Sequence, residues 1–434
     1  MRKTLSCSIL LTLALAASSA WALNPQTSYI TDAVGECAGV DPTGATDSTA
    51  GINACITAHP IISLRAGTYK TSAPINVGLG GWVNGGGIIG AAMDQTIISN
   101  TSSTSDVVIV ANHSSEVRLE QFTVTHTGTP VNSCGINYAV NGKVARSTLE
   151  HVRATNNFYG FCLGATDDSM AVFDVAEGNW SHGFAFQNSV ADAGMQWEMD
   201  RTLSQLNDGA GYYIHAVANA GNTVVGNVWN MPIAFGNSSY GYAFVADTGA
   251  WIGGLNINDI TASGNGSDNV YLNTNGGTNF QFSGGLIEYA GGASTGHNAL
   301  TPASHVGNGI NVTGSKMLDL TISDVNITNN SYHGVAVAVS SVSPYVTIHG
   351  ANVSNNGQAA ANTYAGVAMA AAGQLSLSGV LTKSATNVTQ KWGVVQYAGT
   401  VQSFGGIYGD LTAGCAGTFK NGTAQLYNVG TGCP

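Results

Sequence analysis

Eight of the chain's 24 acidic residues crowd into one short stretch: Asp167, Asp168, Asp174, Glu177, Asp192, Glu198, Asp200 and Asp208. Concentrated carboxylates suit acid–base chemistry. A pair ~5 Å apart serves a retaining glycoside hydrolase, and a pair ~6.5–9.5 Å apart an inverting one. Like charges that close raise one pKa, which sets a proton donor beside an ionised partner. Trp180, Trp197, Trp229 and Trp251 lie on or next to the same stretch, and an exposed indole is a platform for a sugar ring. His182, Arg146 and Arg201 are candidate substrate contacts, with Trp180 and Trp197 as the stacking rings. The alternatives are a solvated face neutralised by Arg146 and Arg201 and, less favoured, a calcium site. No cofactor is required, and the histidines lack zinc-ligand spacings such as His-Glu-x-x-His.

The elements that would position these residues are short strands. From Gly309 to Met369 one phrase recurs: GINV, LDLTISDVNITNN, HGVAV, YVTIHGANVSNN, AGVAM. Each unit alternates apolar and polar residues, turns at an Asn pair, and restarts at a Gly. Period-two alternation marks strands, and repeats too short to bury their own apolar face mark a solenoid. The opening Gly recurs at Gly135, Gly160, Gly183, Gly211, Gly241, Gly309, Gly334, Gly366 and Gly393, with one long gap between Gly241 and Gly309. Asn157 and Asn207 suit the corner held by Asn330 and Asn356, where stacked amides form a ladder. The fold class expected is all-β, a single parallel β-helix of roughly ten turns over residues 75–410. Aligning Val172–Ala176 with Gln196–Asp200 sets Asp174 under Glu198, with Asp200 two residues along. Arg118 and Arg146 continue the column below, Asn256 and Gln281 above. On ~4.8 Å turn spacing, Asp174, Glu198 and Asp200 become the candidate catalytic acids.

Composition narrows the class. Charged residues are 9% and hydrophobic ones 44%, which with the periodicity excludes disorder. Residues 1–22 read as a signal peptide: Arg2 and Lys3, the run SILLTLALAASSA, then Ala20-Trp21-Ala22. Its apolar core is too short to span a bilayer, so a secreted or periplasmic chain without membrane insertion is expected. Removing it leaves 11 basic against 24 acidic residues, a poor nucleic-acid binder. Six cysteines then remain, and neighbouring pairs Cys37–Cys55, Cys134–Cys162 and Cys415–Cys433 suit a solenoid whose adjacent turns alone touch.

Residues 23–74 read as a cap. Asp47 or Ser48 is a plausible N-cap for a short helix carrying Ala50, Ile52, Ala54, Cys55 and Ile56. Together GVDPTGATDSTAGINACI (39–56) and LRAGTYKTSAPI (64–75) resemble the N-terminal signature of the pectate-lyase-like superfamily that includes phage tailspikes. Arg65 stands where that pattern usually has Pro. The resemblance implies a right-handed β-helix plugged by the helix, a carbohydrate ligand, and a monomer or homotrimer. It carries over no catalytic residues. The Asn-Thr-Asp, Gly-His-Gly and Arg-Ile-Lys strings of polygalacturonases and the Asp-Pro-His-Asp box of alginate epimerases do not occur. The reading is a secreted glycoside hydrolase using paired carboxylates. Its rivals are a lyase or uronate epimerase, with Arg146, Arg153 or Arg201 as the cation, and a non-catalytic glycan-binding adhesin.

Overall fold

The computed structural model describes residues 30–78, 85–138, 143–188, 195–218, 223–224, 226–292, 306–317, 319–340, 344–360, 363–382, 390, 392–407, 413–415 and 426–427. The expected signal peptide, Asp192 and Cys433 lie outside them. The chain winds as a parallel β-helix. One sheet holds thirteen strands, from Ile75–Val77 to Ala413–Cys415, and a larger sheet takes two strands from most turns. Within the larger sheet a single residue at positive φ bends the chain between its two strands, as at His151 (53°), Phe173 (56°), Arg201 (49°) and Met231 (52°). A second left-handed residue precedes the next corner, as at Asn156, Leu206, Asn329 and Asn355. Non-Gly residues adopt this conformation only where the surroundings impose it.

The interior is apolar and layered. Phe161, Phe184, Tyr212 and Tyr242 occupy equivalent positions of successive turns. Their rings stack at 4.6, 5.1 and 4.8 Å with interplanar angles of 4–6°, the offset geometry that aromatic quadrupoles favour. Helix Thr49–Ala58 closes the N-terminal end through buried Ile52, Cys55 and Ile56, with Ser48 as its N-cap. The disulfide Cys37–Cys55 ties it down, and Cys134–Cys162 links two adjacent strands. Both are pairs of sequence neighbours, and disulfides suit an oxidising compartment. Among the described residues no helix is long and apolar enough to cross a membrane.

Down one corner runs a ladder of buried amides. Asn157 donates through its backbone and side-chain nitrogens to Asn179 Oδ1, Asn179 to Asn207, Asn207 to Asn237, and Asn237 to Asn265, at 2.8–3.3 Å. Asn330 continues to Asn356, whose N–H meets Gln390 Oε1. The recurring Gly follows from close approach of the ladder and of the next turn's backbone rather than from backbone twist. A Cβ at Gly135 would lie 2.7 Å from both Asn157 Nδ2 and the Gly160 carbonyl oxygen, and one at Gly160 2.5 Å from the Gly183 carbonyl oxygen and 2.9 Å from Asn179 Nδ2.

The gap between Gly241 and Gly309 contains one further strand of the thirteen, Val270–Thr274. The residue before it is Asn269 where other turns have Gly, and Ala290 stands where they have the ladder Asn. The two departures compensate. The small Ala290 leaves space that the Asn269 side chain fills, accepting from Asn265 Nδ2 (2.7 Å) and donating to Asn330 Oδ1 (3.1 Å). Asn269→Gly alone takes one hydrogen-bond partner from each neighbour, leaving Asn265 Nδ2 only Ala234 O and Asn330 Oδ1 only the Ala290 N–H. Ala290→Asn alone collides with Asn269. Each single change should lose about 1–3 kcal/mol in denaturant unfolding, the loss expected for an unpaired buried amide. The double variant restores the frame of the other turns and should recover most of it; additive losses would refute the compensation.

Candidate functional site

The acid-rich face does not assemble the expected pair. The strand Thr166–Val172 bulges between Thr166 and Ser169, and the register that follows sets Met170 beside Glu198 and Val172 beside Asp200. Asp174 lies four residues from its expected place, past the bend at Phe173, and points inward with 0% exposure. One oxygen accepts from Val152 N–H at 2.7 Å, while the other has no hydrogen-bond partner. Burial pushes its pKa well above the carboxylate range. Glu198 is outward, but between Met170 and Val228. Asp200 is held by Arg201 at 2.7 Å, whose guanidinium also covers Phe173 at 4.1 Å. Arg146 contacts Glu116 (3.5 Å) and Ser115 Oγ (3.1 Å), outside the expected column, which does contain Arg118, Asn256 and Gln281. Trp197 and Trp229 are core residues, with 0% and 1% exposure. Half-buried Trp180 donates to Asn156 Oδ1. The outward carboxylates that do face each other on adjacent turns are Glu120 and Glu150, beside Arg118 and His151.

A concavity lies on the outer face of the thirteen-stranded sheet. A cavity of about 400 Å³ opens there, with Asp106, Asn137, Tyr159, Gln187 and the Cys134–Cys162 disulfide in its wall. Asp106 accepts from Cys134 N–H and Asn137 Nδ2, both at 2.7 Å. Tyr159 begins an outward stack that runs through His182 (5.8 Å) to Tyr213 (4.2 Å). His182 Nδ1 accepts the Ala210 N–H at 2.9 Å, and burial drives its pKa down to about 4. The ring is therefore neutral near pH 7, with its proton on Nε2. One turn beyond Gln187 stands His215, whose Nε2 is 3.1 Å from Asp247 Oδ1. Hydrogen bonds from His215 and the Ala218 N–H hold the Asp247 carboxyl below its ordinary range. Of the expected contacts, His182 alone sits on this face, and no group of three metal-ligating side chains occurs among the described residues.

This face went unread because its side chains are Tyr, His, Gln and Asn, which form no charge cluster. The available signal was a repeated frame. Asn179-Trp180-Ser181-His182-Gly183 and Asn330-Ser331-Tyr332-His333-Gly334 each carry a ladder Asn, an outward His and the strand-opening Gly.

No protein-family model matches the chain, and no curated protein matches it. Solved structures share the fold. The catalytic unit of a thermostable GH87 α-1,3-glucanase from Streptomyces thermodiastaticus strain HF3-3 aligns over 88% of this chain and 69% of its own, with 17% identity and a TM-score of 0.55. The mannuronan C-5 epimerase AlgE4 A-module of Azotobacter vinelandii aligns over 85% and 93%, with 17% identity and a TM-score of 0.52. The pre-mature bacteriophage phi29 gene product 12 aligns over 90% of this chain and 57% of its own, with 13% identity and a TM-score of 0.61. The architecture is thus that of the right-handed β-helix proteins, as the cap resemblance implied.

Two buried groups give opposite pH dependences. Asp174 binds its proton more tightly folded than unfolded, so its contribution is full in acid and lost as pH rises above about 4. Asp174→Asn mimics the protonated form. It should be near neutral at pH 4 and stabilising by more than ~1 kcal/mol at pH 8 in denaturant unfolding; an equal effect at both would contradict the burial assignment. His182 binds its proton less tightly folded, so its contribution is full above about pH 6.5 and lost towards pH 4.

Proposed function

We propose that this chain is a polysaccharide-active protein that holds a glycan across the outer face of the thirteen-stranded sheet and cleaves it. The observation that carries the reading is the cavity of about 400 Å³ next to a hydrogen-bonded His215–Asp247 pair. Concave sites with a few convergent polar groups are where ligands bind. The lining carries Asp106 and no Lys or Arg, which favours a neutral sugar polymer over an anionic one. Elimination and C-5 epimerisation both need a uronic acid, so hydrolysis is the reaction we assign. With Nε2–H directed at Asp247, the His215 Nδ1 lone pair is free to take a proton from water. The carboxylate steadies the imidazolium that results, as in any histidine base backed by an acid. The water so activated attacks the anomeric carbon, and the glycosidic C–O bond breaks. The departing oxygen takes a proton from the hydroxyl of Tyr213, 5.7 Å from His215 between ring centroids, which the imidazolium then reprotonates. Two of the three architectural neighbours named above are a glucanase and an epimerase, which accords with a carbohydrate ligand.

A second reading, glycan binding without turnover, draws support from Asp106. It is the one carboxylate in the cavity wall, and its oxygens already accept two hydrogen bonds. Release of reducing ends from α-1,3-glucan and from other neutral glycans separates the two. His215→Ala and Asp247→Asn should each lower the rate at least ~100-fold. Glu150→Gln, Glu198→Gln and Asp200→Asn, on the other sheet, should leave it unchanged. The reverse pattern would return the chemistry to the acid-rich face. Binding with no turnover in the wild type would establish the adhesin reading.

A further inference from the structure

The arrangement around His182 occurs a second time. His333 occupies the equivalent position five strands along the thirteen-stranded sheet. Its Nδ1 accepts the N–H of Ala365, the residue at that position of the next turn, at 2.9 Å, the distance of the His182–Ala210 bond. Burial lowers its pKa to about 4 as well. A neutral ring with Nδ1 committed as acceptor keeps its proton on Nε2. Neither His182 Nε2 nor His333 Nε2 has a hydrogen-bond partner among the described residues, and neither is among their unpaired buried atoms. Each is a donor locked in one tautomer. Tyrosines flank both: Tyr159 and Tyr213 at His182, and at His333 the stacked pair Tyr332 and Tyr364 (4.5 Å), with Tyr364 edge-on to the imidazole at 5.3 Å. Between the two clusters, Tyr240 and Tyr271 stack at 4.6 Å.

We infer that Tyr332, His333 and Tyr364 form a second glycan subsite, and that one polymer chain spans it and the His182 cluster along the solenoid axis. This rests on the reading that a glycan lies across this face, and it adds that the substrate is an extended polymer rather than a short oligosaccharide. At ~4.8 Å per turn the two histidines are roughly 24 Å apart, too far for one or two sugar units to touch both. Phenol hydroxyls and a fixed imidazole N–H donate to sugar oxygens without bringing charge, which matches a cavity wall whose one charged side chain, Asp106, already accepts two hydrogen bonds. Two weak contacts joined by one polymer also reinforce each other, because the second forms intramolecularly.

Native electrophoresis through gels containing α-1,3-glucan, xylan or mannuronan tests this on the full chain. Wild type should be retarded by at least one polymer. Tyr364→Ala and His333→Gln should each weaken that retardation several-fold, as Tyr159→Ala should, and Tyr159→Ala with Tyr364→Ala should weaken it further. The His333→Gln amide can still accept the Ala365 N–H, so thermal unfolding of both single variants should stay near wild type. Retardation lost in Tyr159→Ala but intact in Tyr364→Ala and His333→Gln would overturn the second subsite alone. Wild type that none of the three polymers retards would overturn both the subsite and the glycan reading beneath it. Weakening accompanied by a matching fall in thermal stability would make His333 a structural residue only.

Discussion

The corner ladder of buried amides is the constraint on which the other features depend. Each asparagine must be satisfied in a place without water, where an unpaired amide loses about 1–3 kcal/mol. Its partners are the next asparagine up and the backbone carbonyls of the turn below, as Asn207 shows with Asn237 and Ala176. That requirement fixes several things together. At the start of most strands of the thirteen-stranded sheet there is no room for a side chain, so the residue is Gly. The residue before each ladder Asn takes a left-handed backbone to aim the amide inward. Turn lengths are free between corners, because only the corners must superpose. The turn with Ala290 and Asn269 shows that the requirement is for the amide, not for its place in the sequence.

Much of this was legible. Glycine spacing, asparagine corners and alternating runs identify a parallel solenoid because each follows from local geometry repeated without change. The cap was legible for the same reason, through its short helix and the Cys37–Cys55 pair. Register on the larger sheet was not. A single left-handed residue such as Phe173 or Arg201 reads as an ordinary strand residue, yet it reverses which side chains face out. The register past Ser169 also sets Met170, not Asp174, beside Glu198. The bend at Phe173 takes Asp174 from an expected surface acid to a buried one whose pKa burial raises. Trp197 is a core residue by plain alternation, since it neighbours outward Glu198 within the strand Met195–Asp200 and its indole faces Tyr138 at 5.3 Å.

The two outer faces follow different electrostatic rules. On the larger sheet, carboxylates sit beside cations, as with Glu120 and Arg118 or Asp200 and Arg201. Exposed pairs of this kind contribute little to stability and keep the surface hydrated. On the thirteen-stranded sheet, ionisable groups are kept neutral by burial or bound into hydrogen bonds, as His182, His333 and Asp106 show. A surface whose ligand-facing groups are mainly hydroxyls, amides and neutral imidazoles is a good match for hydroxyl-rich ligands.

The ladder also gives the rod a direction. Among the described residues its side-chain amide bonds run the same way, with NH₂ towards the C-terminal turns and the carbonyl towards the N-terminal ones. Aligned dipoles add along their axis, as peptide dipoles do in a helix. The column therefore ends in an oxygen at Asn157, which His126 Nδ1 meets at 2.8 Å, and in an N–H at Asn356, which Gln390 receives. The plugs at the two ends are not interchangeable: one must offer a proton and the other a lone pair. A turn grafted onto either end inherits that polarity, so such a stack can be lengthened head to tail but never joined head to head.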